Sequence, residues 1–176
     1  MNNQKTIIIT NDSFLKYSIE KLMQYSFNKN IDCFIDVDSF NSIQELSHSL
    51  KLLSQYKSSR VLLISRGLWL SRVIASFIDV SLYDDISAWR RCVTQSHFQS
   101  LAQVIERIDR IKGFEMLTMH EAKIIPCLCL MTNLHAAAEI SGVSYKNFLN
   151  KTITVARKLN LKNTVDLHFF IYKFIR

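Results

Sequence analysis

Glycine is almost missing from this chain of 176 residues: there are three, and only one proline. So few glycines leave no GxGxxG, no Walker-type loop and no GxSxG elbow, which removes phosphate cradling by glycine-rich loops and nucleophile-elbow chemistry. The five histidines, His48, His97, His120, His135 and His168, have no HExxH spacing. The four cysteines, Cys33, Cys92, Cys127 and Cys129, form no CxxC, and Cys127 and Cys129, two apart, do not face each other on a helix. They read as small buried hydrophobes in a reducing compartment. No stretch reaches the ~18 apolar residues of a membrane span, and the apolar run after MNNQK ends at Asn11, too early for a signal peptide. Asp32, Asp36 and Asp38 share a strand face at even spacing, and Asp79, Asp84 and Asp85 cluster, yet isolated acids flanking strands are ordinarily solvated. These absences predict a soluble cytoplasmic protein that is not an enzyme, with no metal, no cofactor and no membrane partner.

Acid is the scarcer charge. The net charge is +7 and unevenly placed: residues 117–176 hold eight Lys/Arg against three Asp/Glu, while residues 1–116 hold fourteen against twelve. The last third therefore favours a polyanionic partner. With 48% apolar residues the chain has enough to bury a core.

The run TIIIT, Thr6 to Thr10, closed by Asn11-Asp12-Ser13, predicts a buried strand running into a helix cap. Phe14, Leu15, Ile19, Leu22, Met23 and Phe27 then mark an amphipathic helix. Ile31 to Val37 predicts a second strand, Asn41 to Ser54 a second helix and RVLLIS, Arg60 to Ser65, a third strand. This alternation implies a parallel sheet with right-handed crossovers. Between Gly67 and Asp85 the pattern fits a helix through Phe77 and equally a strand over Val73 to Val80. From Ile86 to Ile111 apolar residues keep helical spacing, which predicts one long helix, stopped at Gly113. The domains expected are 1–112, α/β and ending in that long helix, and 117–176, all-α.

In the second part Thr118 and Glu121 form a capping-box signature. Pro126 falls inside the helix that follows, with no account of it in the sequence. Thr132 or Asn133 caps a short helix ending at Gly142, and Ser144 caps the next. In that helix Phe148, Thr152, Val155 and Leu159 form an inward stripe, which leaves Lys146, Asn147, Asn150, Lys151, Thr154, Arg157 and Lys158 outside. Two short helices joined by a glycine turn, the second rich in amides, hydroxyls and cations, follow the helix-turn-helix pattern, and those side chains suit a major groove.

These landmarks resemble the LuxR-type (NarL/FixJ) helix-turn-helix of bacterial transcription regulators. Leu117, Thr118 and Glu121 match its Leu-Thr-x-x-Glu opening; Gly142-Val143-Ser144 matches its turn; Lys158-Leu159-Asn160-Leu161-Lys162-Asn163 matches the end of its recognition helix. Met131, Ala137, Asn147-Phe148 and Leu149 depart from the family's usual residues. The resemblance implies a four-helix domain in which Lys146, Asn147, Asn150, Lys151, Thr154 and Lys158 lie toward double-stranded promoter DNA, with the helix from Asn163 to Phe174 in a dimer contact. The α/β part ahead of it resembles a shortened response-regulator receiver. A working receiver needs an Asp ending strand three and carboxylates after strand one. Here Asn11-Asp12 follow strand one, Ile64-Ser65 end strand three, and no Asp lies between Arg60 and Ile78, so phosphorylation at that position is not expected. The functional expectation is a dimeric, DNA-binding regulator. The alternatives are an adaptor that pairs with or sequesters a related regulator, and a small-molecule sensor.

Overall fold

The computed structural model describes residues 6–24, 33–55, 60–94, 99–131 and 133–175. Four strands run parallel in the order β1 (Ile7–Ile9), β2 (Cys33–Asp36), β3 (Arg60–Ser65), β4 (Val80–Ser81), and β5 (Gln99–Ser100) pairs antiparallel with the start of β3. The registers Ile7↔Cys33↔Val61 and Ile8↔Phe34↔Leu62 put odd and even residues on opposite faces. Phe34, Leu62 and Ile64 meet Leu15 and Ile19 of α1 (Ser13–Gln24) and Trp89 and Val93 of α4 (Ile86–Thr94). Cys33, Ile35, Val61 and Leu63 meet α2 (Ile43–Ser54), α3 (Trp69–Val73) and α5 (Leu101–Lys112). Both faces of β2 and β3 are covered, which is why these strands read as continuous apolar runs. Each fully buried Ile or Leu there stabilises the fold by roughly 1.5–3 kcal/mol.

Parallel pairing is as expected, but the hand of the crossovers is not. The order has no reversal, so the sheet lacks the switch-point crevice of a doubly wound fold. The chain steps across the sheet in one direction from β1 to β4, with α1 on one face and α2 and α3 on the other. The first crossover is therefore of opposite hand to the next two, and the crossovers are not all right-handed as expected.

The single long helix expected over Ile86 to Ile111 is also corrected. Trp89 and Val93 pack on one face of the sheet, whereas Leu101, Val104, Ile108 and Ile111 pack on the other. One straight helix cannot serve both faces. Between α4 and α5 the chain adds β5, whose Gln99 side chain donates to the Phe77 carbonyl at 2.6 Å and to Asp79 at 3.1 Å. A new capping box, Ser100 with Gln103, then starts α5. Strand β2 is shorter than expected, because Val37–Ser39 form a 3-10 turn, while Ile31 and Asp32 lie outside the described residues. From Gly67 onward the chain forms helix α3, a 3-10 turn Ala75–Phe77, then strand β4, so the α-helix ends at Val73 and not at Phe77, and the strand is Val80–Ser81 and not Val73 to Val80. Gly113 caps α5 with an ordinary right-handed backbone, and the left-handed residue is its neighbour Phe114, φ 52°.

Beyond α5 come α6 (Met119–Ala122), α7 (Ile124–Leu130), α8 (Leu134–Ser141), α9 (Tyr145–Lys158) and α10 (Thr164–Ile175). Thr118 and Glu121 form the expected capping box. Pro126 is tolerated because the helix breaks at Lys123, which makes the proline the third residue of α7, where the missing N–H has no intrahelical carbonyl to meet. One apolar core continues from the α2/α5 side of the sheet into these helices through Ile124, Leu128, Phe148, Val155, Leu167 and Phe170. At the seam Trp69 meets Phe169 and Phe170 edge-on at 5.9 and 5.7 Å, and Asn160 donates its side-chain amide to the Arg72 carbonyl at 2.8 Å.

Candidate functional site

The helix pair α8 and α9 is held by local chemistry. Asn133 accepts from the His135 amide at 2.8 Å to begin α8, and Gly142, at φ +70°, ends it in the left-handed region. Ser144 then accepts from the Asn147 amide at 3.4 Å to begin α9. The His135 ring stacks on Tyr145 at 3.8 Å with 5° between planes, tying the starts of both helices together. Sequence reading missed this pair, and its only signal is an aromatic residue in the first turn of each helix.

The predicted stripe of α9 is buried: Phe148, Thr152 and Val155 completely, and Leu159 nearly so. Thr152 avoids an unpaired buried hydroxyl by donating to the Phe148 carbonyl at 2.8 Å. Lys146, Asn147, Asn150 and Arg157 are exposed, and Lys151, Thr154 and Leu149 are half-buried. At about 100° per residue, Lys146, Asn150 and Arg157 fall within one sector opposite the stripe, flanked by Asn147 and Thr154 on one side and Ile153 on the other. Thr154 donates its hydroxyl to the Asn150 carbonyl at 2.9 Å, which leaves only its oxygen lone pairs for an outside donor.

Lys158 does not join that sector. Its ammonium lies 2.7 Å from Glu121, which also accepts from the Thr118 amide at 2.7 Å. The Lys158 contact, then the Thr118 amide, hold the Glu121 carboxyl down at about 2. Lys151 and Lys158 both sit on the flank of α9 nearer the buried stripe. Among the described residues Lys146, Lys151 and Arg157 make no ion pair.

A second polar cluster lies at the carboxyl ends of β1 to β3. Asp36, with no exposure, accepts at one carboxylate oxygen from Thr10 at 2.8 Å, from Ser39 at 2.7 Å and from the Arg66 guanidinium. Arg66 also lies 3.7 Å from Asp12, and its backbone amide donates to Asp38 at 2.7 Å. The hydrogen bond to Asp36, more than burial opposes it, drives the guanidinium further toward its charged form. Asp36 Oδ1 and Arg66 Nε are buried without a hydrogen-bond partner among the described residues. Sequence reading named these aspartates and missed Arg66, although its place directly after a buried strand was visible.

Ser65 does end β3, and its hydroxyl accepts from the Gly67 amide at 2.9 Å. Asp12 caps α1, Asp85 accepts from the Ala88 amide in the first turn of α4, Asp84 accepts from the Ser81 amide and Asp79 from the Leu63 amide. Burial raises the pKa of Asp79. Among the described residues no group of three or more His, Cys, Asp or Glu is arranged to hold a metal, and no helix is long and apolar enough to cross a membrane. No protein-family model matches this chain, and no curated protein matches it in sequence.

Proposed function

We propose that this chain is a DNA-binding transcription regulator that acts as a dimer, without phosphorylation at a receiver aspartate. The observation that carries the reading is α9. Its outward sector presents Lys146, Asn150 and Arg157 on a 14-residue helix that contains no acid, behind a glycine turn and a fully buried opposite face. Cations of this kind bind phosphate, and an exposed Asn or Arg can read base edges. Ser65 at the end of β3, and the Arg66 guanidinium on Asp36, support independence from phosphorylation. The likeness of the α/β part to a receiver extends to parallel strands with helices on both faces and stops at the strand order.

Support for dimerisation comes from α10. Leu167, Phe170 and Ile171 are buried inside the chain, while Val165, Phe169 and Tyr172 remain exposed at intervals of four and three. This stripe fits a second copy packed about a two-fold axis. The test is binding of the purified protein to fragmented genomic DNA across a salt series. The Lys146→Ala/Arg157→Ala variant is expected to bind more weakly, with a log-log salt slope shallower by about 0.9 for each phosphate no longer neutralised. Undiminished affinity and an unchanged slope would overturn the assignment of α9.

The adaptor reading is favoured by a different surface. Phe14 of α1, Leu82 and Ile86 are exposed around an apolar groove between α1 and α4, next to the exposed Tyr83. Under that reading the chain binds DNA only when a related regulator is present.

A further inference from the structure

Where the α/β part meets the helical part there is a cleft of about 410 Å³, of a size usual for small-molecule sites, which span roughly 300–1,000 Å³. Four cations border it: Arg72 from α3, Arg107 and Arg110 from α5, and Lys158 from α9. Among the described residues no carboxylate lines it. The apolar part of its wall comes from Phe77, Ile111 and Met116. Cations from three elements thus share one rim, and an anion seated in the cleft would meet all four.

The pairs these cations already make are of a kind that can be given up. Arg72 reaches Asp166 at 3.4 Å, Arg110 reaches Glu106 at 2.5 Å and Glu115 at 4.0 Å, and Lys158 reaches Glu121 at 2.7 Å; the Arg110 pairs are exposed, where ion pairs are weak. Arg107 has no acid within ion-pair distance among the described residues; it donates to the Gln99 side chain at 3.1 Å and lies 5.8 Å from the centre of the Phe77 ring. Guanidinium groups match phosphate oxygens in bidentate geometry.

We propose that this cleft binds a small phosphorylated ligand of the nucleotide type. Its phosphates lie among Arg72, Arg107, Arg110 and Lys158, and its planar base lies against Phe77, Ile111 and Met116. Of the residues of α9 only Lys158 borders the cleft, while the sector with Lys146, Asn150 and Arg157 points elsewhere, which favours a small ligand over the DNA backbone. A phosphate drawing Lys158 from Glu121 and Arg72 from Asp166 would loosen two ties at the seam. Any effect of that on DNA affinity rests on the proposed function, whereas ligand binding itself does not.

Calorimetric titration of the full chain at physiological salt, without DNA, tests this with ATP, GTP, inorganic tripolyphosphate and adenosine as probes. Saturable one-to-one binding of ATP or GTP is expected, tighter than tripolyphosphate and much tighter than adenosine. Arg107→Gln and Arg110→Gln, both at exposed positions, should each weaken it about tenfold or more, with Arg90→Gln on α4 as an unaffected control. The proposal is overturned if neither nucleotide saturates below about 1 mM, the affinity range of weak but specific ligands. It is equally overturned if both arginine variants bind like the unaltered chain, or if tripolyphosphate binds as tightly as either nucleotide. Displacement of a bound nucleotide by random-sequence duplex DNA would assign the cleft to a nucleic-acid surface and overturn it too.

Discussion

Lys158 and Glu121, 37 residues apart, form an ion pair of 2.7 Å that ties the last turn of α9 to the first turn of α6. One carboxylate both caps a helix and holds a cation that the sequence places among the outward, DNA-facing groups.

That pair makes a prediction for DNA binding and one for acid stability. Glu121→Gln keeps an acceptor for the Thr118 amide and frees Lys158, which borders the seam cleft and not the outward sector of α9, so DNA affinity and salt slope should change little. Lys158→Ala should weaken binding less than Arg157→Ala. The folded carboxyl titrates at about 2, below its ordinary 4.5, so its stabilising contribution is complete above about pH 4.5 and declines as pH falls toward 2. An acid-unfolding series should show Glu121→Gln losing that part of the pH dependence.

Arg66 and Asp36 are the pair on which the carboxyl end of the sheet depends. Asp36 has no exposure, so Arg66→Ala leaves a buried carboxylate with its hydroxyl donors and no counter-charge. Loss of about 3–5 kcal/mol in denaturant unfolding is expected, with much of it recovered in Arg66→Ala/Asp36→Asn. Treatment of the unaltered protein with a small acyl phosphate should leave no phosphorylated aspartate by intact-mass measurement.

The glycines differ in what they do. Gly142 sits at φ +70° with open space where a Cβ would stand, so Gly142→Ala is a purely conformational change and should destabilise by about 1 kcal/mol. Gly113 has a right-handed backbone, and a Cβ there would meet its nearest atom at 3.5 Å, an ordinary contact. Gly113→Ala should be neutral or stabilise by up to about 1 kcal/mol. Thermal unfolding of the two variants compares them directly.

His168 on α10 is half-buried, and its Nε2 has no hydrogen-bond partner among the described residues. Burial lowers its pKa, so the unfolded chain takes up a proton at a higher pH than the folded one. Stability should be unaffected by this group well above pH 6.5 and should fall as pH drops below it. His168→Gln should flatten that portion of the profile, measured as denaturant midpoints between about pH 7.5 and 5.

The C-terminal helices are legible in the sequence because their signals are local. Thr118 with Glu121, Asn133 with His135, Ser144 with Asn147 and the left-handed Gly142 each act within four residues, and Phe148, Thr152, Val155 and Leu159 show one face by spacing alone. The Ser100–Gln103 capping box is equally local, but the apolar spacing on either side of it fits a single helix and hides the break. Spacing reports which residues are buried, but not against which face of a sheet.

Local sequence therefore suffices for the caps of α6, α8 and α9, the parallel strands, the buried stripe of α9 and the basic excess around it, since each follows from the chemistry of near neighbours and from total charge. The tertiary structure alone decided the strand order, the passage from one face of the sheet to the other between α4 and α5, and the partners of Arg66 and Lys158. It also brought Arg72, Arg107, Arg110 and Lys158 to one cleft. These are contacts between residues about 30 or more positions apart, or faces shared by separate elements, and no periodicity within one segment can encode which distant segment it will meet.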